Sequence, residues 1–166
     1  MDADHDLPEP PHETPSEELE RLARETLEAQ TGTLDPVGAR RRCQRVLALQ
    51  TDGAIIDGRD YFHAAWVMLC GESQSHFALA RRFAREATSQ GEARAWTLQA
   101  MAWDRWLMAN GKPQRFGTQI IKQNGRTSLG PVDPSVSDEE RAFYAVPPLY
   151  VQRQLVEQRA RQEDRG

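Results

Sequence analysis

Hydrophobic residues recur every three or four positions along most of the chain, and the breaks fall at Gly, Pro and capping residues. Thr14, Pro15 and Glu17 make a capping-box start. Leu19, Leu22, Ala23 and Leu27 then fall on one face, and Gly32 ends the helix. Asp35 and Pro36 open a second helix, on which Ala39, Cys43, Val46, Leu47 and Gln50 recur at helical spacing. The run TDGAIIDG reads as a loop holding an apolar clip, Ile55 and Ile56. Residues 60–70, DYFHAAWVMLC, are apolar nearly all round, which marks a central buried helix. Gly71 stops it and Ser73 caps the next, where Phe77, Ala80, Ala84 and Ala87 lead to Gly91. Trp96, Ala100, Trp103 and Leu107 form a further stripe, closed by Gly111 and Pro113.

The period then changes. Residues 116–123, FGTQIIKQ, lean to β, Asn124-Gly125 is a hairpin turn, and RTSLGPV follows. Ser137 and Glu140 form a capping box for a short helix to about Tyr144, which Pro147-Pro148 breaks. A last amphipathic helix carries Tyr150, Val151, Leu155 and Val156. The expected fold is mainly α, a compact helical bundle or helical-hairpin array of about six helices with one short β-hairpin near 116–131. Residues 14–163 form a single helical domain in this reading, behind an acidic, Pro-rich tail, 1–13, with too few large hydrophobes to order.

Composition narrows the class. Hydrophobic residues at 39% and charged residues at 28% are ordinary for a globular protein. The net charge of -4 gives no general attraction to nucleic acid. The acid is concentrated in residues 1–20, which hold no Lys or Arg, so the remainder is mildly basic. Cys43 and Cys70 both sit in apolar helical patterns, as reduced thiols of a cytosolic protein do. The N-terminus is acidic rather than basic and then apolar, and no run approaches the roughly 18 apolar residues of a membrane span. These features predict a soluble cytoplasmic protein with no cofactor and no nucleic-acid or membrane partner.

Candidate chemistry concentrates in residues 104–119, DRWLMANGKPQRFGTQ. Asp104 and Arg105 interrupt an aromatic helix, and buried charges are costly unless paired. The following loop adds Gln114, Phe116, Gly117, Thr118 and Gln119, and Trp106 lies off the main stripe, where it can wall a pocket. One reading is a binding module that presents this loop to a protein or small molecule. A second is a small-molecule enzyme with Asp104 as acid/base or orienter, Arg105 holding an anionic group, and Gln114, Thr118 and Gln119 positioning substrate. The bland alternative is that Asp104 and Arg105 tie down the loop, with Gln114 and Gln119 completing the network. A weaker possibility is a metal or thiol site at Cys70 with His63, which share one helical stripe. Seven positions separate them by about 10 Å along a helix axis, too far for direct contact.

The runs DYFHAAWVMLCGES, ALARRFAREATSQG and DRWLMANGKPQRFGTQ, followed by PVDP and DEERAFYAVPPL, resemble a bacterial family of small helical proteins with a DR…GxPQxxGTQ signature and no assigned activity. The likeness spans about residues 57–150, and the middle also has a faint Sel1- or tetratricopeptide-like helical-hairpin character. The resemblance implies that Asp104, Arg105, Gln114, Gly117, Thr118 and Gln119 belong to a shared pattern. Where that family tends to have Gln-His before Gly, this chain has Leu69-Cys70.

Overall fold

Five of the seven described helices begin where a side chain can replace a missing carbonyl for the first amides. The computed structural model describes residues 12–33 and 35–165. The expected tail, 1–13, lies outside the described residues apart from its last two. In order come α1 (Pro15–Thr31), α2 (Pro36–Thr51), α3 (Gly58–Leu69), α4 (Gln74–Ser89), α5 (Ala95–Ala109), β1 (Ile120–Gln123), β2 (Arg126–Leu129), α6 (Asp138–Phe143) and α7 (Leu149–Glu163). The fold is mainly α. Thr14 and Glu17 close the capping box of α1, while the side chains of Asp35, Asp57, Ser73 and Ser137 cap α2, α3, α4 and α6. Glu140, expected to close a second box with Ser137, instead gives its carboxylate to Arg115.

α3, α4 and α5 form the scaffold, with α3 against α4 and α4 against α5 as the most extensive helix pairs. Alanines at positions 64, 65, 80, 84, 87 and 95 are fully buried, and their small side chains let these helices approach closely. α1 and α2 lie over α3, closing a core around Leu19, Val46, Met68, Phe83 and Leu98. A smaller cluster of Ala100, Phe116 and Val146, flanked by Trp103 and Tyr144, ties the C-terminal third to α5. No described helix is long and apolar enough to cross a membrane.

Three expected details differ. Ile55 is buried but Ile56 is 69% exposed, so the clip is a single side chain. The hairpin runs 120–129 rather than 116–131, because residues 115, 116 and 118 spend their amides on a side chain of α5 instead of on a strand. Asn124 and Gly125 take φ of 52° and 75°, the left-handed pair of a tight hairpin turn. On α7 the buried face is Gln152 and Val156, while Tyr150 and Leu155 are 64% and 57% exposed. Gln152 sets that rotation by donating to Phe116 O at 2.8 Å and to Pro147 O at 3.0 Å.

Two leucines on α1 separate its inner and outer faces. Leu19 is 0% exposed and Leu27 is 42% exposed. Leu19→Ala is expected to lower stability by about 2–5 kcal/mol and Leu27→Ala by less than about 0.5 kcal/mol in urea unfolding. Equal losses at the two positions would contradict this placement of α1.

Candidate functional site

The 104–119 segment is organised around one carboxylate. Asp104 lies on α5 with 0% exposure. Its Oδ1 accepts the amides of Arg115 at 2.7 Å and Phe116 at 3.1 Å. Its Oδ2 accepts the amide of Thr118 at 3.0 Å and the Thr118 hydroxyl at 2.8 Å. Four donors use the acceptor capacity of the group.

The carbonyls of the same loop face a cation. Arg141, 2% exposed, donates to Phe116 O at 3.2 Å, Arg115 O at 3.2 Å and Val136 O at 2.8 Å, and pairs with Asp138 at 3.1 Å. Opposite charges therefore bracket one peptide segment, each satisfied by the backbone between them. Gln114 is fully buried and links both ways to Gln119, donating to its carbonyl at 3.0 Å and accepting its amide at 2.7 Å. Gly117 has φ of 79°, and a Cβ there would lie 3.1 Å from a Leu149 methyl group.

Of the alternatives the sequence left open for Asp104, a pocket-wall acid/base group or a tie for the loop, the geometry matches the tie: the carboxylate has no exposed surface and its four donors all come from the loop. Phe116 is equally buried, edge-on to Trp103 at 5.7 Å. The Gln114 side chain is taken up by the Gln119 backbone, and the Gln119 side chain donates to the Thr118 hydroxyl at 3.1 Å. Gly117 and Thr118 line a small apolar cleft of about 270 Å³ with Met101 and Leu155. Trp106 is half-buried and lines neither this cleft nor the larger one below.

Arg105 leaves the network because one residue along a helix is a rotation of about 100°. Its guanidinium enters a cleft of about 520 Å³ bounded by α1, α2, the α3–α4 turn and α5. It lies 4.8 Å from the Phe77 ring centroid and makes no hydrogen bond or ion pair among the described residues. Burial pushes Arg105 below its ordinary value, since leaving water disfavours the charged form. Arg42 reaches the same cleft with its side chain 11% exposed, 3.6 Å from the Asp35 carboxylate, and its Nε is buried with no partner. Cys70 lies beside both, with its sulfur contacted by the Gln30 amide. Burial pushes the Cys70 thiol up, against the opposing pull of Arg105, Gln30 and Arg42.

His63 and Cys70 are not brought together. The charged groups acting on His63 are Glu20 of α1, Arg59 and Asp60 of its own helix and Arg94 before α5, none of which acts on Cys70. Among the described residues no group of three His, Cys, Asp or Glu can hold a metal ion. Cys43 is a core thiol, pushed up to about 11 by burial and donating to Val67 O at 3.6 Å. No family model, curated protein or solved structure matches the chain.

Sequence reasoning missed four residues of these two sites. Arg42 belongs to the run Arg40-Arg41-Arg42, which looks like a solvated face, yet as the neighbour of core Cys43 it sits at the edge of the buried stripe. Gln152 lies four positions before the buried Val156, a spacing that marks an inward face. Nothing local in the sequence marks Arg141 or Gln30.

Asp104→Asn turns an acceptor into a donor facing amides, and is expected to lower stability by about 2–4 kcal/mol in urea unfolding. A change under about 0.5 kcal/mol would mean that the loop does not depend on this carboxylate. His63 generates a pH dependence. Its Nδ1 is buried without a partner, and burial lowers its value from the usual 6.5. Between the two values the unfolded chain binds more protons, so stability is full above about pH 6.5 and falls as pH drops below it. It levels off once the folded form is protonated too. His63→Gln should flatten that fall in unfolding curves taken from pH 7.5 to 5, and an unchanged slope would assign the dependence to other groups.

Proposed function

We propose that this protein is a binding module for a small anionic molecule, taken up in the cleft that holds Arg42, Arg105 and Cys70. The observation that carries this reading is Arg105. A guanidinium largely withdrawn from water, with no carboxylate or hydrogen-bond acceptor among the described residues, faces a cleft of about 520 Å³. Burying a cation without a partner is costly, and an anion entering the cleft removes that cost. The volume falls within the roughly 300–1,000 Å³ of small-molecule sites. Of the two acidic groups at the cleft, Asp35 pairs with Arg42 at 3.6 Å, and among the described residues neither pairs with Arg105. Asp35 is 50% exposed and caps α2 through the Gly38 amide, and Glu72 is exposed.

The 104–119 segment serves this reading as scaffold. Asp104 holds the loop to α5, and α5 in turn presents Arg105 to the cleft. We place the protein in the cytoplasm, where Cys43 and Cys70 stay reduced. Catalysis is the weaker reading, because Arg105 is joined at the cleft by a thiol raised by burial and by no buried acid/base group.

Melting curves at constant ionic strength with benzoate, octanoate, succinate and phenyl phosphate, against chloride, test the reading. At least one is expected to stabilise the wild type, by about 2.7 kcal/mol at a hundredfold excess over Kd, and to lose that effect in Arg105→Met. If none does better than chloride, or if Arg105→Met responds equally, the cleft is not an anion site.

A further inference from the structure

The cations account for one end of the cleft, and its other walls say what else a ligand must carry. Ala29 of α1, Pro36 and Ala39 of α2 and the Phe77 ring of α4 face the same space, and most of the lining is apolar. At Cys70 the Gln30 amide contacts the sulfur and both guanidiniums act on the thiol, while Arg42 also meets the Asp35 carboxylate at 3.6 Å. Arg105 is also stacked against Phe77 at 4.8 Å, so the cation and the ring present adjoining surfaces. A compact inorganic anion would leave the apolar walls in contact with water. A ligand with two separated charges would have to set the second against Ala29, Pro36 and Ala39, at a desolvation cost.

We propose that the cleft takes an amphiphilic monocarboxylate, with its single anionic head at Arg105 and Arg42 and an aliphatic or aryl body against Ala29, Pro36, Ala39 and Phe77. This rests on the anion-binding reading above and adds the apolar half of the ligand. Cys70 sits at the head-group end, half-buried, and its thiol reports on occupancy because a bound head shields it. Cys43, 1% exposed, serves as a reference thiol in the same chain.

The test is titration calorimetry of the full chain with acetate, octanoate and octylammonium, with N-ethylmaleimide alkylation of Cys70 followed by mass spectrometry. Octanoate is expected to bind at least tenfold more tightly than acetate, since its buried methylenes leave water. It should slow alkylation at Cys70 and leave Cys43 unaffected. Arg105→Met should weaken octanoate roughly tenfold, and Arg42→Met takes its place if that variant does not unfold cooperatively. Acetate binding as tightly as octanoate, with Arg105 still required, overturns the amphiphile and leaves the anion site standing. Octylammonium binding as well as octanoate, indifferent to Arg105→Met, overturns both. So does the absence of binding by either carboxylate.

Discussion

Asp104 carries its charge where water does not reach, and four donors from one loop make that tolerable. An ionised carboxylate in such a place is costly unless its acceptor sites are filled, and a loop buried against aromatic side chains is costly unless its amides are satisfied. Each cost is removed by the other. The loop conformation follows. Residues 115, 116 and 118 turn their amides to one point, Gly117 takes the left-handed backbone that this demands, and Phe116 is delivered into the aromatic cluster with Trp103 and Tyr144.

The C-terminal third is organised from the opposite side of the same loop. Once the amides point at Asp104, the carbonyls of 115 and 116 point away from it, towards Arg141 of α6 and Gln152 of α7. These hydrogen bonds orient the two helices, and Phe143 and Tyr144 add ring contacts to Trp96 and Trp103 of α5. The exposed apolar side chains of α7 follow from that choice. Gln152 must face inward to reach Phe116, so Tyr150 and Leu155 are rotated out.

Arg105 owes its position to this arrangement. With Asp104 held towards the loop, the next residue on α5 faces α1 and α2, where no carboxylate of the described residues pairs with it. Two adjacent charges thus have opposite situations: one saturated and closed, the other desolvated and unfilled. The first gives rigidity, and the second is the kind of group on which ligand recognition is built.

Local chemistry was legible in the sequence because its causes are local. Caps at Thr14, Asp35, Ser73 and Ser137, the stop at Gly91 and the Asn124-Gly125 turn act within a few residues, so each marks its element wherever the chain goes. The nearly all-apolar stretch of α3 announced a central helix for the same reason. The sequence also singled out 104–119 as unusual, since charges inside an aromatic stripe need an explanation. Which explanation holds depends on partners 10 to 50 residues away, and spacing does not encode them. Arg141 and Gln152 are ordinary polar residues until tertiary packing sets them on the Phe116 carbonyl. Cys70, Gln30, Arg42 and Arg105 come from four separate helical segments, and only the stacking of α1 and α2 over α3 gathers them. Helical periodicity determined which residues share a face. Only the tertiary structure decided what each face meets, because burial and charge compensation are properties of the packed whole.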